Sequence, residues 1–232
     1  MDLIVEAFRE AWRLLSTGEE QIYAITLRTA LITGSSTLVA TAIGVPAGLA
    51  LALARFPGQR TAVTFANAGM GMPPVVAGLV VAMLLWRSGP LGSLALIYTP
   101  GAIVIAQALI ATPIIVAVTS AAVMALSPEL RLQIRAMGAN DVQYLTLIAR
   151  EARLPLVVAV MAGFGAVVSE VGASMMVGGN LAGETRVLTT AAVLEVSKGR
   201  FGTALAFGLV LIALVLLVSA ALTVLQHRSR RQ

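Results

Sequence analysis

Glu170 is an ionisable side chain inside an apolar run, and Ser169, Ser174, Asn180, Thr185 and Arg186 place further hydrogen-bonding groups on either side of it. Ionisable residues at membrane depth face a bundle interior, a cavity or a partner charge. Two readings of Glu170 stand side by side: a pair with Arg186 that holds an outer gate, or a carboxylate at the outer interface, solvated or bonded to nearby backbone amides. The small and polar composition of 172–186 suits a non-helical or re-entrant backbone, tolerated at membrane depth only where it is buried or lines water. The plainer reading is an ordinary outer loop, against which 187–196 is apolar enough to dip back toward the bundle as a short helix. Such groups suit transient contacts with a passing solute, and no residue is assigned a catalytic role.

A second cluster lies in Ser127 to Pro155, SPELRLQIRAMGANDVQYLTLIAREARLP, a polar segment of about thirty residues between two apolar runs. Connections between packed helices need only a few residues, so a long insert with helical periodicity asks for a partner outside the bilayer. Ser127-Pro128-Glu129 is a helix start, with a capping side chain, Pro at the first helical position and an acid near the positive end of the dipole. A short helix is expected to about Met137, a bend at Gly138, and a second helix from Val142 toward Arg153 capped by Asn140-Asp141, with Asp141 read as a cap. Arg131, Arg135, Arg150 and Arg153 can meet acids on that partner or anionic lipid headgroups.

The elements that must carry these residues follow from composition. The chain has 232 residues, 58% hydrophobic and 12% charged, with a mean hydropathy of +0.92, which excludes an ordinary soluble domain. The fold class is all-α, a polytopic helical membrane protein with about five crossings, at Ile22–Leu53, Phe65–Trp86, Ala102–Leu126, Leu154–Met176 and Thr203–Leu225. Gly44-Val45-Pro46 loosens the first, longer than a span needs, and Met70-Gly71-Met72-Pro73-Pro74 starts or bends the second. Gly34-Ser35-Ser36, Gly44 and Gly69-Met70-Gly71 allow close helix approach, and Arg28 snorkels to the interface. Ahead of the crossings, Leu3, Ile4, Ala7, Phe8, Ala11, Trp12 and Leu15 form an apolar stripe at helical spacing, which predicts an interfacial helix. The resulting organisation is an amphipathic segment at 1–20, a transmembrane region at 21–226 with the loop 127–153, and a basic tail at 227–232.

Arg55, Arg60, Arg131, Arg135, Arg150, Arg153, Arg228, Arg230 and Arg231 gather on one side of these crossings, which the positive-inside rule makes cytoplasmic. An odd number of crossings then puts the N-terminus outside and the C-terminus inside. The absence of cysteine and a single histidine, His227, exclude a metal or redox centre built on those residues, and no cofactor is expected. The nine methionines lack the clustering of a copper path. The only lysine, Lys198, sits in Ser197-Lys198-Gly199, so no Walker A phosphate cradle is present and ATP hydrolysis is not expected of this chain. There is no nucleic-acid motif, and the net charge of +5 reflects the loops and tail.

Gly138 and Ile148 have the separation found in the cytoplasmic loop of permease subunits of bacterial ABC importers, where the pattern is Glu-Ala-Ala-x3-Gly-x9-Ile-x-Leu-Pro. Leu132-Gln133-Ile134 stand in place of Glu-Ala-Ala, Arg150-Glu151 in place of Leu-Pro, and Leu154-Pro155 follow four residues late. Ser169-Glu170-Val171-Gly172-Ala173, then Gly179-Asn180, then Thr185-Arg186-Val187-Leu188, resemble the region after that loop in permeases for sulfate, molybdate and tungstate, most of all the tungstate type. The resemblance implies an oxyanion importer in the bacterial inner membrane, working as a homodimer with two copies of a separate ABC ATPase and an extracytoplasmic oxyanion-binding protein. Arg135, Ala136, Met137, Gly138, Ala139 and Asn140 would then form the coupling helix that seats on the ATPase. Ser169, Glu170, Ser174, Asn180, Thr185 and Arg186 would line or gate the pathway, with Glu170 structural because a carboxylate repels an oxyanion. The alternative, a gradient-driven transporter or channel, needs no ATPase and often shows paired repeats, which are not evident here.

Overall fold

The computed structural model describes residues 2–54 and 56–230, the side chains at 2, 225 and 227–230 excepted. The cations expected at Arg55 and Arg231, and the side chains of His227, Arg228 and Arg230, lie outside the described residues. In chain order the helices are α1 (Asp2–Thr17), α2 (Glu20–Leu53), α3 (Gln59–Met70), α4 (Pro74–Leu85), α5 (Pro100–Met124), α6 (Pro128–Ala136), α7 (Asp141–Glu151), α8 (Arg153–Val168), α9 (Gly172–Gly178), α10 (Leu188–Ser197) and α11 (Phe201–Arg230). A 3-10 turn at Gly92–Leu94 precedes α5, and no strand occurs among the described residues. Helices α2, α5 and α11 are each long and apolar enough to cross a bilayer, and the bent pairs α3–α4 and α7–α8 bring the crossings to as many as 5.

The expected helix at 65–86 is two helices whose axes differ by 103°. Gly71 and Met72 close the end of α3 with N–H bonds to the carbonyls of Ala68 and Gly69. Pro74 then opens α4, where its missing N–H costs nothing. The expected helix at 154–176 also breaks, ending at Val168 and resuming at Gly172. By contrast α2 runs unbroken through Pro46 for 34 residues, about 51 Å at 1.5 Å per residue against a hydrocarbon core of about 30 Å.

Because lipid gives apolar helices little reason to leave it, interhelical contact depends on close backbone approach at small residues. A Cβ on Gly44 would lie 2.8 Å from Ile115, and one on Gly48 2.6 Å from Thr119, so α2 and α5 nest through these positions. Gly163 of α8 meets Ile115 from another side, Gly69 of α3 meets Pro113, and Gly78 of α4 lies against the backbone of Ala173 in α9. Gly34, expected in the same role, faces open space instead.

Two apolar clusters mark opposite ends of the bundle. At one, Ala11 and Leu14 of α1 pack with Ile22, Ile25, Leu188, Ala191, Ala206 and Phe207. Leu3, Ile4, Phe8 and Trp12 of the predicted stripe remain exposed, as an interfacial helix requires. On the polar face of α1, the Arg13 guanidinium hydrogen-bonded to Glu10 holds that carboxyl below its ordinary range. At the other end, Ala52 of α2 and Val123 of α5 pack with Ile134, Tyr144, Ile148 and Ala152.

Gly78→Ala places its methyl carbon 2.5 Å from the Cα of Ala173, and overpacking of this kind costs roughly 1–3 kcal/mol. We expect a lowered Tm for purified Gly78→Ala and a Tm at or above that of the unsubstituted chain for Gly34→Ala, read by thermal unfolding in detergent.

Candidate functional site

The polar insert folds as the spacing predicts. The Ser127 hydroxyl accepts the Leu130 N–H at 3.2 Å and Pro128 opens α6. Gly138 turns the chain at φ +80, a left-handed conformation that favours glycine. A capping box then starts α7: the Asn140 side chain accepts the Gln143 N–H at 2.9 Å, and the Gln143 side chain accepts the Asn140 N–H at 2.9 Å. The cap is therefore Asn140 alone. Asp141, read as a cap, instead accepts from Arg135 Nη1 at 2.8 Å, and the same guanidinium lies 4.1 Å from the centre of the Tyr144 ring. Arg131 donates to the Val123 carbonyl and so pins α6 to the end of α5.

Behind this turn, Ile148 is 0% exposed among Val123, Ile134, Tyr144 and Ala152, so the element is fixed to the ends of α2 and α5. Its outer side is apolar where a solvent-facing loop would be polar: Met137 is 81% exposed, Val142 73% and Leu132 70%. Met137, Gly138, Ala139 and Val142 line an open groove of about 540 Å³. The six residues from Arg135 to Asn140 thus sit together at the tip, with Ala139 turned partly into the core cluster.

The second candidate group does not form one constellation. Glu170 is only 5% exposed. Its carboxylate accepts the Ala173 N–H at 2.6 Å, the Ser174 N–H at 2.9 Å and the Ser174 hydroxyl at 2.9 Å. It makes no pair with Arg186, which donates to the side-chain and backbone oxygens of Asn180 at 3.3 and 3.2 Å. Both groups satisfy themselves locally, and the bonding to backbone amides is the alternative that the structure realises. Thr185 is buried, accepting the Leu181 N–H at 2.8 Å and donating to the Gly178 carbonyl at 2.6 Å. Ser169 stands apart, exposed just past the end of α8 and donating back to the Gly165 carbonyl. The first half of the stretch expected to be non-helical is α9, and only 179–187 is irregular.

Comparison with known proteins settles the family. Residues 44–231 match the family described as "Binding-protein-dependent transport system inner membrane component". The chain belongs to that family. Among its relatives is the tungstate uptake system permease protein TupB of Peptoclostridium acidaminophilum, 36% identical over 98% of this chain and 100% of that one. TupB of Campylobacter jejuni is 31% identical over 100% and 95% of the two chains. A probable anion ABC transporter permease protein of Haloferax volcanii is 38% identical over 86% and 88%. The fold resembles that of a chain in the MetNI methionine ABC transporter, with a TM-score of 0.70 at 21% identity, covering 90% of this chain and 95% of the other.

Sequence reading missed much of what holds the irregular part of this permease. Gln107, a lone amide in the apolar α5, donates to the Val167 carbonyl at 3.3 Å and to Ser174 Oγ at 3.4 Å, and accepts from the Ser36 hydroxyl at 2.8 Å. Thr29 accepts the N–H of Leu188 at the start of α10 at 2.9 Å. Arg28, read as snorkelling, donates instead to the carbonyls of Gly183 at 2.6 Å and Arg186 at 3.2 Å. The one amide in a span whose other polar side chains are small hydroxyls is the signal that Gln107 offered; Arg28 and Thr29 act on carbonyl and amide groups whose position no local pattern reveals.

Removing Arg28 leaves two loop carbonyls without their charged donor. The chain has no native cysteine, so a Leu181→Cys variant reports on the loop directly. Arg28→Ala should raise its maleimide labelling rate about tenfold, and Arg28→Lys by less, in keeping with the strength of charge-assisted bonds.

Proposed function

We propose that this permease is the membrane subunit of an ATP-driven tungstate importer. The observation that carries the reading is the α6–Gly138–α7 tip, whose exposed Met137, Val142 and Leu132 stand on a buried base of Ile134, Tyr144 and Ile148. An apolar face on a rigid stalk outside the crossings is what a separate ATPase would need to grip. Identity of 36% and 31% over nearly the whole chain to the two TupB proteins supports tungstate as the solute.

In this reading two copies of the chain dock two ATPase subunits through residues 135–140, and a binding protein delivers the anion to the opposite end. Closure of the ATPases moves the coupling elements together and opens the pathway outward; hydrolysis resets it. The chain contributes no ATP chemistry, because it lacks a phosphate-binding motif. The clustering of α1, α10 and the start of α11 at the end opposite α6–α7 supports, with the docking tip cytoplasmic, an N-terminus outside and a C-terminus inside. At the α10 end the 179–187 loop offers Asn180 and Arg186 as weak contacts for a passing oxyanion. Glu170 takes no part in binding it, since its carboxylate is buried and already bonded to amides.

Vesicles carrying this chain, its ATPase and its binding protein should take up tungstate only with ATP and all three components, with molybdate and sulfate competing less well. Gly138→Trp, which adds bulk to the groove and a side chain at φ +80, should abolish uptake while leaving the chain in the membrane. Uptake that persists without the ATPase would assign the chain to gradient-driven transport instead.

A further inference from the structure

Glu170 holds three elements at once. Its own N–H closes α8 on the Val167 carbonyl at 3.3 Å. Its carboxylate takes both free N–H groups at the second and third positions of α9. Its backbone carbonyl accepts the hydroxyl of Thr189, in the first turn of α10, at 3.0 Å. Burial removes water as a competing partner for each of these bonds.

The place of this residue along the chain gives the bonds a mechanical meaning. Helix α8 begins at Arg153, directly after the buried Ala152 that ends α7, and α7 is half of the docking tip. It then spans 16 residues, about 24 Å, before the break at 169–171. Beyond the break lie α9, the 179–187 loop and α10. Three consecutive residues outside a helix carry two soft dihedrals each, so an uncapped break is a hinge that absorbs displacement. A capped break transmits it.

We propose that Glu170 is a positioning residue that makes α8, α9 and the first turn of α10 one rigid body, so that movement of the docking tip reaches the 179–187 loop. The proposal rests on the importer reading for its source of movement. Within that body Gln107 adds a lateral tie, bonding the Val167 carbonyl on one side of the break and Ser174 on the other. Both carboxylate oxygens are needed, because one accepts Ala173 and the other accepts Ser174. Glu170→Gln keeps one acceptor, and Glu170→Ala keeps neither.

The test uses the complete transporter in liposomes and reads two quantities. The first is anion taken up per ATP hydrolysed; a merely structural role lowers uptake and hydrolysis together and leaves this ratio alone. The second is the spin-label distance between Val158→Cys on α8 and Val193→Cys on α10, both half-exposed and in a chain without native cysteine. Glu170→Ala should lower the ratio about tenfold and broaden the distance distribution, with Glu170→Gln intermediate, as expected for losing bonds to a charged acceptor. If Glu170→Ala does not assemble, Glu170→Gln decides the matter by the same readouts. An unchanged ratio with an unbroadened distance in the assembled variant overturns the proposal, as does parallel loss of uptake and hydrolysis with an unbroadened distance. Should the unsubstituted transporter prove independent of ATP, the importer reading fails, and the width of the distance distribution still judges the joint.

Discussion

Backbone satisfaction inside the crossings is the constraint on which the rest of this structure depends. A helix bonds its own amides, but each interruption frees donors and acceptors that lipid cannot serve. The chain interrupts its crossings at 71–73 and 169–171 and runs irregularly through 179–187. Each site is met by a different device. At the first, short-range backbone bonds and Pro74 leave little unsatisfied. Around the second and third, Glu170, Thr185, Arg28 and Thr29 supply side-chain partners to backbone groups. An unmet amide there would cost several kcal/mol, which exceeds any single apolar contact nearby. The polar residues of this part of the chain therefore specify one backbone path.

Close packing does for the helices what those bonds do for the irregular segments. Gly44 and Gly48 let α2 approach α5, Gly163 lets α8 reach the same Ile115, and Gly78 lets α4 reach α9. With backbones this near, Ser36 of α2 and Ser174 of α9 come within hydrogen-bonding distance of Gln107. The two devices are linked, since a side chain as short as serine bridges helices only where glycine has removed the spacing atoms.

Legibility from sequence followed the range of the interaction. Crossings were readable because hydropathy is a property of a contiguous stretch, and the α6–Gly138–α7 element because Ser127, Pro128, Gly138 and Asn140 act on neighbours within four residues. The bend at 71–73 was announced by its Gly and Pro residues. The break at 169–171 was not, because Ser-Glu-Val carries no breaker, and its cause is a carboxylate reaching forward to amides three and four residues on. Of the two readings of Glu170, bonding to backbone amides is realised and the pair with Arg186 is not, because opposite charge suggests attraction at a distance while each group has nearer partners to satisfy. Gln107 joins residues 71 and 67 positions away, a separation at which local pattern is silent. As the one amide in α5 it stood out from the hydroxyls of Thr112, Thr119 and Ser120, without naming its partners.

The distribution of these ties also says where movement can occur. Helix α2 is held at one end by Arg28 and Thr29 to the 179–188 region and at the other, through Ala52, to the apolar cluster under α6 and α7. Its length of 34 residues is what allows it to touch both. A helix bonded at both ends resists sliding, so α2 is a second tie, beside α8, between the α6–α7 tip and the 179–188 region. Helix α3 is the opposite case. It has no buried residue, and it meets α5 at Gly69 against Pro113 and α2 through the Gln59 side chain, which donates to the Leu51 carbonyl at 2.8 Å. It joins α4 through the 103° bend, where turn bonds hold the backbone and Met72 packs against the cluster around Ile103. Of the interruptions at 71–73 and 169–171, the first is the one whose backbone no side-chain hydrogen bond reaches, while the second is held by Glu170.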